Sequence, residues 1–137
     1  MKNDFIPYGC QDINNSDRNA VIKVLKSPFL TQGPLVKEFE DKISKKVNSD
    51  YAVSTNSATS ALHIACLALG LKSDDILWTS PISFVASANC GLYCGAKVDF
   101  VDIDPKTGLI SLVELEKKLA IAKSNNKLPK IIIPVHL

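Results

Sequence analysis

The sequence predicts an α/β fold in which a mostly parallel sheet is covered by helices on both faces. Segments with apolar residues at helical spacing alternate along the chain with short apolar segments typical of strands. This alternation is typical of β–α–β units, whose strands run parallel and are buried on both sides. The chain has 137 residues, of which 46% are hydrophobic, and this is enough for one domain with its own core.

Five helices are predicted, and most have a recognisable start or stop signal. A residue before proline is disfavoured in the helical conformation, so the first helix is expected to end near Ser27, whereas Pro34 suits the first turn of the second. Gly70 is expected to end the third helix as a left-handed cap. Ser111 and Glu114 form a capping box that opens the fifth. The predicted helices span residues 12–26, 34–46, 58–69, 84–93 and, from the capping box, 111–123.

Four short strands are predicted between these helices. The last contains three consecutive isoleucines, residues 131–133, a composition typical of a buried strand. A buried strand normally leads into a covering helix, so we expect a chain that stops at Leu137 to be part of a longer domain. The predicted strands span residues 51–54, 75–79, 97–101 and 130–135.

Charge and composition argue against several classes of partner. The net charge is +2 and no basic block exceeds two residues, whereas nucleic-acid binding needs a basic stripe. No N-terminal apolar run indicates a signal peptide, and no segment approaches the ~20 apolar residues that span a membrane. We therefore expect a cytoplasmic protein that binds neither nucleic acid nor membranes.

No metal site is predicted. The four cysteines have no further Cys or His at zinc spacing, so we expect buried, reduced thiols. The carboxylates of residues 99–104 alternate along a strand and do not converge easily, so we interpret them as a solvated strand end and turn. His63 is expected to pack within its helix, whereas His136 is a site candidate because it follows the last strand at the ligand edge of the sheet. The cysteines are Cys10, Cys66, Cys90 and Cys94.

A first candidate site lies in residues 54–62, where a predicted strand leads into a helix through small and hydroxyl-bearing residues. Free N–H groups and the helix dipole attract phosphate at a helix start, and the Ser57 and Thr59 hydroxyls add donors. The small side chain of Ala58 lets a ligand approach the backbone. The alternative interpretation is an ordinary N-cap at Asn56 or Ser57.

Two further segments are candidates for ligand contact. Phe84 follows the next strand at its carboxyl end, where its ring could stack on a flat heteroaromatic cofactor, although core packing is the alternative. Thr31 and Gly33 lie in a glycine–proline loop that could line a substrate pocket. The alternative for that loop is a simple corner between two helices.

Taken in order, these segments resemble the DegT/DnrJ/StrS-type nucleotide-sugar aminotransferases, which are built on the fold-type I pyridoxal-phosphate (PLP) scaffold. The resemblance implies that this chain is the N-terminal part of that scaffold's large domain. The matching segments are residues 6–8, 30–34, 39–40, 56–62, 81–86, 101–104 and 134–137.

The resemblance also implies roles for particular residues. The cofactor is expected to be pyridoxal 5'-phosphate, with its phosphate bound by Ser57, Ala58 and Thr59 and its ring stacked on Phe84. The substrate site is expected to include three further residues. These are Tyr8, Thr31 and Gly33.

Within the family, the chain looks most like the pseudaminic-acid pathway enzymes. Residues 7–13 and 24–27 carry this similarity. It implies amination at C4 of a UDP-linked 4-keto-6-deoxy N-acetylhexosamine, with glutamate as the expected amino donor. The full-length protein is expected to be a homodimer.

The chain departs from the family pattern in one large respect. The resemblance places the lysine that binds the cofactor covalently, and the aspartate that pairs with the pyridine nitrogen, beyond Leu137, so we assign no catalytic residue and expect no transamination by this chain. Residues 1–34 are expected to be an N-terminal helical segment and loop, and residues 35–137 an incomplete large domain. Two alternatives stay open: a non-catalytic phosphate-ligand binding module, and a truncated paralogue that docks on a full-length partner.

Overall fold

The computed structural model describes residues 9–137, which form five helices and three strands in two compact units. The first unit comprises the described residues up to Ser54, and the second runs from Thr55 to Leu137. The expected domain boundary at residues 34 and 35 concerns the architecture of a longer enzyme and stays a prediction. The elements are α1 (Asn15–Leu25), α2 (Pro34–Val47), α3 (Ala58–Ala68), β1 (Ile76–Thr79), α4 (Ala86–Tyr93), β2 (Lys97–Phe100), α5 (Leu112–Ser124) and β3 (Ile131–Ile133).

The first unit consists of two helices with well-defined ends. Asn14 caps α1 by accepting the N–H groups of Ser16 and Asp17, while the Asp17 carboxylate accepts the N–H of Asn14 at 2.9 Å. Pro34 is the first residue of α2, as predicted. No residue of α1 is buried, and Ser44 is the one buried residue of α2. The apolar side chains of this unit are therefore largely exposed.

The second unit is built around a three-stranded sheet in the order β2-β1-β3, and both strand pairs are parallel. The central strand is in register with both neighbours, so that Leu77 lies beside Val98 on one side and Ile131 on the other. Helix α4 connects β1 to β2 and packs against both, and α5 connects β2 to β3. The predicted α/β fold with a parallel sheet is confirmed.

Each face of the sheet has its own core, because successive side chains of a strand point to opposite faces. On one face, Leu77 is fully buried against Cys66 of α3 and Cys90 of α4. On the other face, Trp78 packs with Val101 and with Ala122 of α5. Helices therefore cover both sides of β1, as the sequence predicts.

Two predicted strands differ from the structure. Residues 51–54 are not a strand, because a strand requires a partner and none of residues 9–137 pairs with this segment. The last strand is limited to Ile131–Ile133 instead of 130–135. Pro134 has no N–H to donate to a neighbouring strand, which ends the pairing there.

Two helix starts and one helix cap also differ. Helix α1 begins at Asn15 and not at residue 12, because Asn14 is its N-cap. Helix α4 begins at Ala86 and not at Phe84, because the Ser87 N–H bonds to the Phe84 carbonyl three residues back, which makes a tighter turn than an α-helix. The capping box of α5 is half formed. The Ser111 hydroxyl accepts the Glu114 N–H at 3.3 Å, but the Glu114 carboxylate pairs with Lys117 at 2.8 Å. Within residues 9–137, no helix is both long and apolar enough to cross a membrane.

Candidate cofactor-binding site

The start of α3 has the geometry of an anion-binding turn. Ser57 is the N-cap, and its hydroxyl accepts the Ser60 N–H at 3.2 Å. The N–H groups of Ala58 and Thr59 have no acceptor among the described residues. Such N–H groups at a helix start bind phosphate readily. The expected helix start is therefore present, and phosphate binding by these residues stays a prediction.

A network of hydroxyl groups surrounds this turn. The Thr55 hydroxyl donates to the Ser57 carbonyl at 2.8 Å, and the Ser60 hydroxyl donates to Asn56 Oδ1 at 2.7 Å. The Ser57 and Ser60 hydroxyl oxygens lie 3.1 Å apart. Ser57 is therefore the N-cap of α3, as the alternative interpretation expected, and it also belongs to the predicted phosphate site. Its hydroxyl is already engaged, whereas that of Thr59 has no recorded partner in the described part of the chain.

The turn lies toward the carboxyl edge of the sheet. At the other end of α3, the Gly70 carbonyl accepts a hydrogen bond from Lys130 Nζ at 2.6 Å, immediately before β3 begins. The end of α3 is therefore at the amino edge. Because α3 runs away from that edge, its start points toward the carboxyl edge, where parallel sheets bind their ligands.

Phe84 lies in the loop that follows β1 at its carboxyl end. Phe84 is 75% exposed, so it does not pack in the core formed by residues 9–137, contrary to the alternative interpretation. The loop is braced by the Ser83 hydroxyl, which donates to the Ser87 hydroxyl at 2.7 Å. An exposed ring at the ligand edge is available for stacking, and the stacking itself stays a prediction.

Sequence reasoning missed Ser80, the residue that directly follows the central strand. It is 1% exposed, and its hydroxyl has no hydrogen-bond partner within residues 9–137. The neighbouring Thr79 is also buried, but its hydroxyl donates to the Ile133 carbonyl at 2.9 Å. An unpaired buried hydroxyl is costly. The sequence carries no local signal for this position, because the burial of a small hydroxyl residue is decided by packing between distant residues.

Two of the predicted substrate residues, Thr31 and Gly33, belong to the first unit. Tyr8 lies outside the described residues. Thr31 is exposed in the loop between α1 and α2, and Gly33 is the N-cap of α2 with φ of 75°. A Cβ at Gly33 would lie 2.8 Å from the Cβ of Phe29, so glycine is required there. The loop therefore forms a corner between α1 and α2, as the alternative interpretation expected. Substrate contact by Thr31 and Gly33 stays a prediction.

The cavity that His136 lines includes no residue of the α3 turn. It lines a cavity of about 400 Å³ together with Asp104, Ser111 and Pro134, at the start of α5. The Asp104 carboxylate accepts the Lys106 N–H at 2.8 Å, which agrees with the interpretation of this acidic stretch as a turn. No group of three or more potential metal ligands is present in residues 9–137.

The cysteines form no disulfide within residues 9–137, and they are not all buried, contrary to the prediction. Cys66 and Cys90 are buried and Cys94 is half-buried, whereas Cys10 is exposed. Burial, and then the hydrogen bond with Cys90, raises the pKa of Cys66 to about 12. The Cys66 thiol therefore stays protonated and is a poor nucleophile.

Comparison with known proteins identifies the family. A model of the DegT/DnrJ/EryC1/StrS aminotransferase family matches residues 11–137. The chain belongs to this family. The resemblance carried by the motifs is thereby confirmed over nearly the whole chain.

Curated relatives and solved structures agree with this assignment. The UDP-4-amino-4,6-dideoxy-N-acetyl-beta-L-altrosamine transaminase of Campylobacter jejuni strain 81-176 is 45% identical over 114 residues, which are 83% of this chain and 30% of that protein. The apo form of the putative sugar aminotransferase Spr1654 from Streptococcus pneumoniae has a TM-score of 0.83 at 30% identity, covering 96% of this chain and 32% of that one. Helicobacter pylori PseC, an aminotransferase involved in pseudoaminic acid biosynthesis, has a TM-score of 0.75 at 33% identity, covering 90% of this chain and 32% of that one. This aminotransferase-family chain therefore spans about a third of the length of these relatives.

The expected cofactor is confirmed at the level of the family. Spr1654 has also been solved in its PLP form and its pyridoxamine-phosphate (PMP) form. In this chain, the free N–H groups of Ala58 and Thr59 match what a phosphate needs, and the buried Ser80 hydroxyl is a polar group that lacks a partner. The residues present therefore fit a phosphate-bearing cofactor.

Proposed function

We propose that this chain is the N-terminal part of a PLP-dependent aminotransferase that aminates C4 of a UDP-linked 4-keto-6-deoxy N-acetylhexosamine. Glutamate is the proposed amino donor, and the full-length enzyme is proposed to act as a cytoplasmic homodimer. The observation that supports this most directly is the start of α3, where Ala58 and Thr59 offer free N–H groups in a chain of an aminotransferase family.

The proposed role of each residue follows from the chemistry of its side chain and backbone. When bound, PLP accepts the amino group from the donor and withdraws electrons from the reacting carbon. In this chain, Ala58 and Thr59 would donate N–H groups to the phosphate, with Ser57 holding the helix start in shape. The exposed ring of Phe84 would lie on one face of the pyridine and orient it. Tyr8, Thr31 and Gly33 are the proposed substrate contacts.

The choice of substrate rests on the relatives. The Campylobacter jejuni protein that is 45% identical carries the name of an altrosamine transaminase, and a second one from that species is 42% identical over 114 residues. Helicobacter pylori PseC belongs to pseudoaminic acid biosynthesis. These names support a UDP-linked amino sugar as the product of the proposed full-length enzyme.

A second candidate function is a phosphate-ligand binding module without catalysis, either free or docked on a full-length partner. It is favoured by the free N–H groups of Ala58 and Thr59, which can bind a phosphate without any catalytic side chain. The two candidates share the phosphate site, and neither predicts turnover by this chain alone. The DNA beyond codon 137 separates them, since a reading frame that continues with the family's aspartate and lysine supports the aminotransferase and a stop codon supports the module.

The phosphate site can be tested with PMP, which lacks an aldehyde and so does not react with surface lysines. We expect calorimetry to detect binding of PMP and much weaker binding of pyridoxamine, which lacks the phosphate. Ala58→Pro removes one N–H at a position where proline suits a helix, so PMP affinity should fall about fivefold to tenfold without loss of fold. The matched control is Leu112→Pro at the first position of α5, which should leave PMP affinity unchanged. Equal affinities for PMP and pyridoxamine would refute the phosphate site.

A further inference from the structure

Glu40 makes a contact that differs from those of the other acidic residues on its helix. Its Oε1 accepts both the backbone N–H of Ser54, at 2.8 Å, and the Ser54 hydroxyl, at 2.9 Å. Both residues are half-buried. One carboxylate oxygen therefore holds the backbone and the side chain of a residue fourteen positions away in the sequence.

The other two acidic residues of α2 form exposed ion pairs within the helix itself. Glu38 pairs with Lys42 and Asp41 with Lys37, each at 2.6 Å and each one helical turn away. Exposed pairs of this kind contribute little to stability. Glu40 is thus the acidic side chain of α2 that binds main chain outside its own helix.

The contact with Glu40 takes the place of the hydrogen bond that a partner strand would make with Ser54. Residues 51–54 have a strand-like sequence but no partner strand within residues 9–137, so the Ser54 N–H needs another acceptor. A carboxylate is a strong acceptor for a backbone N–H, because the charge shortens and strengthens the bond. The two bonds, first that from the Ser54 N–H and then that from its hydroxyl, also hold the pKa of Glu40 below its ordinary value of 4.5.

We propose that Glu40 is a positioning residue for the cofactor-binding turn at the start of α3, an inference that rests on the function proposed above. Ser54 is joined to the N-cap Ser57 through two residues, Thr55 and Asn56. Holding Ser54 reduces the number of conformations open to this short connection. The N–H groups that meet the phosphate then need less ordering when the cofactor binds, and this reduced cost appears as affinity.

The test measures PMP and pyridoxamine affinities for the wild-type chain, Glu40→Gln and the control Glu38→Gln. Glutamine keeps the shape of the side chain but loses the charge that strengthens both bonds. We expect Glu40→Gln to weaken PMP binding about threefold to tenfold and to leave pyridoxamine binding unchanged, because the phosphate turn alone is affected. In spectra of ¹⁵N-labelled chain, the Ser54 amide should shift in Glu40→Gln and stay in place in Glu38→Gln.

The outcomes separate the two proposals. If the wild-type chain binds PMP and pyridoxamine equally, the proposed function fails and this inference fails with it. If the wild-type chain prefers PMP and Glu40→Gln binds PMP equally well, the positioning role alone is wrong. A parallel loss of both affinities would show a purely structural role and would also overturn it. Should Glu40→Gln not fold, Ser54→Ala removes one of the two bonds and carries the same expectations with a smaller change.

Discussion

The ammonium group of Lys118 lies over the indole ring of Trp78, with Nζ 4.9 Å from the ring centroid. The same Nζ pairs with Asp99 Oδ2 at 2.6 Å. Trp78 is buried in the core on the α5 face, and Asp99 belongs to the edge strand β2. One side chain of α5 therefore ties the helix to two strands of the sheet.

Replacement of Lys118 by glutamine should lower the free energy of unfolding by about 1–2 kcal/mol, because it removes the cation from the ring and from Asp99. The neighbouring Lys117 is a matched control. Its pair with Glu114 lies on the exposed surface of the same helix, so Lys117→Gln should change stability by less than about 0.5 kcal/mol. Urea unfolding followed by circular dichroism measures both. Equal effects of the two changes would contradict the structural role of the Trp78 contact.

Acidic pH should weaken the ion pair between Lys118 and Asp99, because it protonates the Asp99 carboxylate. Burial alone would raise the pKa of Asp99, but the hydrogen bonds from Lys118 and from the Phe100 N–H outweigh it and lower the pKa below 3.8. A lowered carboxyl pKa contributes stability that is present above the unfolded pKa and is lost as pH falls through the folded value. The stability difference between wild type and Lys118→Gln should therefore shrink between about pH 5 and about pH 2. A difference that stays constant with pH would assign the effect to the ring contact and to the bond that Lys118 Nζ donates to the Phe100 carbonyl, and not to Asp99.

The thiols should react in an order set by exposure and pKa. Cys10 is exposed, whereas Cys66 and Cys90 are buried and burial also raises the pKa of the half-buried Cys94. Brief iodoacetamide treatment at neutral pH should alkylate Cys10 first, as read by peptide mass spectrometry. Cys10→Ser should then remove nearly all fast labelling. Rapid modification of Cys66 in the folded chain would show that the α3–α4 core opens readily.

Addition of PLP followed by borohydride should not label one lysine specifically. The resemblance assigns the covalent role to a lysine that matches none of the lysines in this sequence. We expect weak labelling spread over surface lysines, detected by peptide mapping. One lysine labelled in high yield would overturn the expectation that this chain performs no transamination.

The isolated chain should self-associate. Large apolar side chains of the first unit are exposed, with Val21 at 59%, Leu25 at 65% and Val47 at 63%. The strands β2 and β3 are also edges of the sheet, and open edges promote association. Sedimentation should detect oligomers, and the double change Val21→Glu and Leu25→Glu should reduce them. A monodisperse wild-type monomer with a sharp melt would favour the self-standing binding module.

The sequence by itself determined the features that depend on neighbouring residues. Pro34 begins α2 and Ser57 caps α3, because the ring of proline and the hydroxyl of serine act on the backbone within one turn. The parallel sheet was likewise predictable, since a helix between two strands leads the chain back to the same edge. The start of α3 at Ser57, where phosphate binding is proposed, follows from these same local signals.

The tertiary structure alone decided the features that depend on distant residues. Residues 51–54 have the composition of a strand, but a strand forms by pairing, and Glu40 takes the Ser54 N–H instead. The sequence pattern alone could not decide whether Phe84 packs in the core or lies at the ligand edge of the sheet. Its exposure depends on the path of the loop that follows β1. The same holds for Ser80, because burial of a small hydroxyl residue is decided by packing that no local pattern records.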